Sequence, residues 1–220
     1  MEEENNEMLM TFVQLSATII TITLFIMPLK TIRIIIDRQN VGTVAGLQFI
    51  SSTLNCFLWV SYALLTSNTT MLFVNSIGMM FSIYYVVNYW KNITQIRVSR
   101  DYLKKVMIAC VLAITIISIS YYNTTDDLDT RISRLGFLSS VVCVLMFASP
   151  LEKMANVIQS RNSEGMIQSV AILSLLCGLS WTLFGLLLND IYVYLPNILA
   201  SILSFVQLTL IKMYPPQILI

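Results

Sequence analysis

Charged residues fall in clusters along this chain of 220 residues, and the stretches between the clusters are apolar. Between Glu7 and Lys30 lie 22 uncharged residues, and between Lys105 and Asp126 lie 20. Runs of 25 (Gly165 to Asn189) and 21 (Ile191 to Ile211) follow. A helix rises ~1.5 Å per residue, so roughly 20 apolar residues cross the hydrocarbon core of a bilayer. The longest run, Gln39 to Trp90, has 52 residues and room for two crossings, with Thr66-Ser-Asn-Thr-Thr70 as the turn. A run of 17, Leu135 to Leu151, is long enough once it borrows Ser133 and Glu152 at its ends. The pattern predicts an all-α membrane protein with seven transmembrane helices.

The spans repeat. At an offset of 122 residues Phe25-x-x-Pro28-Leu29 falls on Phe147-x-x-Pro150-Leu151, Trp59 on Trp181, Asn75 on Asn197 and Ser82 on Ser204. Leucine matches are cheap in apolar sequence; tryptophan, proline and asparagine matches are not. Spans one to three form one copy and five to seven the other. Span four, roughly Tyr102 to Tyr122, has no counterpart. A single linking span returns the chain to its starting side, so the expected fold is two parallel three-helix bundles joined by a linker helix (3+1+3). The expected boundaries are an extracellular N-terminus 1–9, a first repeat 10–93, a linker region 94–130, a second repeat 131–214 and a cytosolic tail 215–220.

Composition sharpens the class. Only 11% of residues are charged, where soluble domains carry about 25%. A net charge of +1 gives no footing for nucleic acid. The chain has no histidine, the commonest metal ligand and catalytic base. Cys56, Cys110, Cys143 and Cys177 all lie inside apolar spans and read as buried small hydrophobes, with no cofactor or metal implied. The acidic start (Glu2, Glu3, Glu4, Glu7) is unlike the basic start of a cleaved signal. Eleven of the thirteen basic residues fall on one side of the seven spans, and eight of the twelve acids on the other. The basic side is therefore expected in the cytosol and the N-terminus outside. Sequons at Asn68 and Asn123 fall in loops assigned outside, whereas Asn92-Ile-Thr94 falls inside and should be silent.

Polar residues within spans must face a partner or a watery cavity. A lone intramembrane asparagine is commonly helix–helix glue, with a net value of about 0.6–2 kcal/mol. Asn75 and Asn197 sit at equivalent repeat positions, which favours a matched pair of amides for a hydroxylated ligand. Trp59 and Trp181 fit an interfacial belt, yet they keep register with the asparagines, and a flat indole suits the apolar face of a sugar ring. Asn55 and Cys177, four residues earlier, lie one turn away on the same face. Pro28 and Pro150 break their helices near the cytosolic ends, as static bends or as hinges of an inner gate. No Asp, Glu, Lys or Arg occupies the middle of a span, so nothing offers a proton or cation site for a coupled carrier. An enzyme is not expected, since no nucleophile–base pair can be assembled.

Five stretches carry a resemblance: Leu54-Asn-Cys-Phe-Leu-Trp59, Val74-Asn-Ser-Ile-Gly78, Met146-Phe-Ala-Ser-Pro-Leu-Glu-Lys-Met154, Cys177-Gly-Leu-Ser-Trp181 and Leu195-Pro-Asn197. In these the chain resembles the SWEET, or saliva-type, sugar transporters. The resemblance implies facilitated, bidirectional diffusion of mono- or disaccharides through a pocket made by Asn75, Asn197, Trp59 and Trp181. It also implies homo-oligomers, at the plasma membrane. Two departures mark a divergent, animal-type member. The family's hinge prolines early in spans two and six read Gln48 and Ile167, and its Tyr-Gly reads Tyr62-Ala63. Alternative readings are a two-repeat carrier for amino acids or another small solute, and a seven-helix receptor. Charged solutes would call for charged pocket groups, and the duplication with its short loops argues against a receptor.

Overall fold

In the computed structural model, residues 2–121 and 127–216 are described. They form nine helical segments: α1 (Glu2–Ile26), α2 (Leu29–Arg38), α3 (Leu47–Leu65), α4 (Thr69–Lys91), α5 (Ile96–Tyr121), α6 (Leu128–Leu145), α7 (Ala148–Ser160), α8 (Gln168–Leu187) and α9 (Ile191–Met213). Because α1 runs on into α2, and α6 into α7, through short breaks, the nine segments make seven membrane-crossing helices. Helix is the forced choice here, since lipid offers no partner to a backbone N–H or carbonyl. Six crossings are long and apolar by length and composition. The seventh, α3, is diluted by Gln48, Ser51, Ser52, Thr53 and Asn55. Hydroxyls and amides inside the helices satisfy themselves one turn back, as Thr53 does on the Phe49 carbonyl and Ser61 on Phe57.

The duplication extends to the backbone. Left-handed residues occur at Gln39 (φ 51°) and Arg161 (φ 51°), and again at Ser67 (φ 51°) and Asn189 (φ 53°), each pair 122 residues apart. Asn68 and Asp190 then cap α4 and α9, with side-chain oxygens accepting from Met71 N (3.0 Å) and Val193 N (3.3 Å). The capping oxygen satisfies a backbone donor that has no partner within the helix.

The described chain divides into two compact units. One comprises Phe25–Ser139, the other Met1–Leu24 with Ser140–Ile220. In the first, α3 packs along α4, and α5 lies against both. Its core gathers Ile32, Ile35, Val41, Phe49, Ile50, Tyr85, Tyr89 and Tyr102. In the second, α8 and α9 pack closely, and α7 rests on α9 through Met154, Val157 and Leu210. Large apolar side chains such as Phe12, Ile19 and Met107 are more than 60% exposed, as expected of faces that meet lipid. Cys110 is exposed too, on α5, so it departs from the buried role assigned to all four cysteines. Apolarity alone does not separate a lipid-facing position from a core position.

Both proline breaks are present, at different offsets. Pro28 is the N-cap of α2. In the second repeat the break falls at Met146–Phe147, with Phe147 as N-cap, so Pro150 lies in the first turn of α7. The missing N–H costs nothing in that turn, where the backbone donors lack helical partners anyway.

Candidate functional site

The candidate residues fall into two sets, one in each unit. In the first, Trp59 on α3 is 6% exposed and its indole N–H donates to Asn55 Oδ1 at 3.2 Å, one turn back. Tyr62 packs edge-on against that indole, with ring centroids 5.6 Å apart at 85°. On the neighbouring α4, the Asn75 amide donates to the Met71 carbonyl at 2.9 Å. In the second unit Trp181 is 7% exposed and Phe184 packs on it edge-on, at 5.3 Å and 88°. Asn197 donates to the Val193 carbonyl at 2.7 Å. Apart from the indole hydrogen bond, these contacts repeat residue for residue at an offset of 122.

Both asparagines spend one N–H on their own helix. Among the described residues neither amide bonds to another helix. Each keeps a second N–H and its carbonyl oxygen for another partner. Both residues are half-buried.

The symmetry stops at the partner of the indole N–H. Trp181 donates to Thr21 Oγ1 of α1 at 2.8 Å, where Trp59 donates to the residue one turn back. Cys177 occupies the equivalent position, and its sulfur lies 3.3 Å from the same Thr21 oxygen. Thr21 itself bonds back to the Ala17 carbonyl at 2.7 Å. It thus joins Trp181 and Cys177, a role that matching of the repeats does not reveal, because its counterpart is Cys143. Close approach of α8 to α9 beside Asn197 depends on Gly178, where a Cβ would meet Ser201 Oγ at 2.5 Å and the Asn197 carbonyl at 3.1 Å.

The Asn68 amide oxygen is engaged in capping α4, while its sequon Thr70 is half-buried. Asn123 lies outside the described residues. Asn92, of the sequon assigned inside, is buried and donates to the Asn88 carbonyl.

Residues 11–95 and 133–218 match the family model described as "Sugar efflux transporter for intercellular exchange". A curated Dictyostelium discoideum protein, "Sugar transporter SWEET1", is 88% identical over the full length of both chains. The chain belongs to the SWEET family. Further SWEET relatives come from animals: the Drosophila pseudoobscura pseudoobscura protein is 31% identical over 92% of this chain and 88% of its own. A solved eukaryotic SWEET transporter superposes with a TM-score of 0.86 at 26% identity, covering 95% of this chain and 98% of that one. The residues between the two matched segments include all of α5.

Proposed function

We propose that this protein is a facilitative sugar uniporter, carrying a hexose or a disaccharide in either direction by alternating access with no ion coupling. One observation carries the reading. Two asparagine amides, at the same register of two repeats, each bond once to their own helix and keep a donor and an acceptor unspent. A sugar hydroxyl can both accept and donate, so it complements such an amide. Trp59 and Trp181 would supply apolar faces, with Asn55 and Cys177 beside them. The relatives named as sugar transporters support the substrate class.

The absence of Asp, Glu, Lys and Arg from the span interiors supports uniport, because ion coupling needs a group that changes charge or ligates the ion. The distribution of basic residues supports an outside N-terminus and a cytosolic C-terminus, and the resemblance to SWEET transporters supports the plasma membrane. Pro28 and Pro150 would act as hinges for the inner gate. In proteoliposomes holding the full chain, radiolabelled hexose should equilibrate with the bath and not exceed it, with or without a proton gradient. Accumulation above the bath concentration would overturn the uniport reading, and absence of flux for every sugar tested would overturn the carrier reading.

A further inference from the structure

The chain enters its central compact unit at Phe25, three residues before Pro28. Two features of α4 fix it there. Tyr85 Oη donates to the Phe25 carbonyl at 2.6 Å. The Phe25 ring lies over Gly78, where an added Cβ would overlap it. Tyr85 is 3% exposed and held between Phe49 and Phe81, with ring centroids at 5.6 and 6.1 Å. One turn along α4, Tyr89 Oη donates to the Val44 carbonyl at 2.7 Å, in the loop that follows α2. The Tyr89 ring packs in turn on Tyr102 of α5, 4.9 Å between centroids. The backbone is therefore tied to α4 on both sides of α2, before it through Phe25 and after it through Val44.

Among the described residues the second repeat shows none of these ties. At the 122-residue offset Gly78 reads Ala200, Tyr85 reads Gln207, Tyr89 reads Ile211 and Phe49 reads Ala171. Its segment α7 is held by the smaller cluster of Met154, Val157 and Leu210 and by a backbone bond from Ser163 N to the Tyr214 carbonyl at 3.1 Å. Directional bonds to buried tyrosines restrict a helix end more than apolar contacts do, because apolar contacts tolerate sliding.

We propose that Tyr85, with Gly78 and Tyr89, is a positioning residue of the transport cycle: it locks α2 onto α4, and α7 is the segment that moves when this end of the carrier opens. The two repeats are then unequal in mechanics despite their equal registers. This inference rests on the carrier reading for its role in transport, but the mechanical asymmetry is measurable without a sugar.

The test is hydrogen exchange of the full-length protein in lipid nanodiscs, followed on peptides covering 29–38 and 148–160. Amides of α7 should exchange about tenfold faster than those of α2. Y85F should raise exchange in α2 several-fold and leave α7 unchanged. Equal exchange in the two wild-type segments overturns the proposal, and so does a Y85F protein whose α2 stays as protected as before. In proteoliposomes Y85F should lower the maximal flux by about threefold or more with the half-saturation concentration unchanged, the signature of a lost conformational restraint. A change confined to half-saturation would put Tyr85 in the binding site and also overturn it. Wild-type protein with the exchange contrast but no sugar flux would sink the carrier reading and leave the asymmetry standing.

Discussion

Ser140 Oγ on α6 donates to the Tyr192 carbonyl on α9 at 2.9 Å. That carbonyl is the one Pro196 cannot serve. In a regular helix the N–H four residues on would bond to it, and Pro196, buried inside α9, has none. A hydroxyl from a neighbouring helix therefore completes the turn that presents Asn197. Replacing Ser140 with alanine removes this part-buried hydrogen bond between two helices, at a cost of about 1 kcal/mol. A thermal-shift assay in detergent should show a lowered Tm for S140A and a smaller change for S140T. Equal stability of S140A and the parent would mean that the proline gap is filled in another way.

Asn75→Ala and Asn197→Ala should each reduce sugar flux to about a tenth or less, since losing a ligand hydrogen bond in a half-buried site costs about 1.4 kcal/mol or more. Surface expression should not fall with it, because neither amide joins two helices. Flux that survives in both variants would remove the asparagines from the site.

Asp127 precedes α6 and accepts from Thr130 N at 2.9 Å. The hydrogen bonds from Thr130 hold its carboxyl below the ordinary value of 3.8. A depressed carboxyl stabilises the folded state above its unfolded pKa and loses that contribution as pH falls through the folded one. Amides at the start of α6 should thus keep constant protection from neutral pH down to about 4 and open further in more acid solution. D127N should show no such acid-dependent component. Because the carboxyl is fully exposed, the effect should stay confined to the first turn.

Charge-free runs make the spans legible, because crossing a bilayer demands them. The repeat is legible because Pro28, Trp59 and Asn75 are costly residues that recur at one offset. Identity matching also has blind spots. Asn68 and Asp190 are different residues with one capping function, and only the shared side-chain oxygen relates them. The second break lies at Met146–Phe147, ahead of Pro150, because proline fits the first turn of a new helix as well as it breaks an old one. Cys110 illustrates a deeper limit. In lipid both the packed and the outward face of a helix are apolar, so hydropathy carries no record of which is which. Thr21 is out of reach for a related reason: its partners lie more than 150 residues away, and no pattern local to α1 points to them.

Thr21 also supplies the sharpest test of the second half-site. Its hydroxyl is the acceptor for the Trp181 indole, and the neighbouring Cys177 sulfur is a poor substitute. Thr21→Val keeps the shape of the side chain and removes the acceptor, leaving a buried N–H unpaired at about 1–3 kcal/mol. The indole should then shift, and the half-saturation concentration for sugar should rise by roughly tenfold. Thr21→Ser restores the oxygen and should restore affinity. Asn55→Leu is the matching change in the first half, since Asn55 is the acceptor for Trp59, and it should act in the same direction. If T21V binds sugar as the parent does while N55L does not, ligand contact rests on the first repeat alone, and the paired-site reading fails.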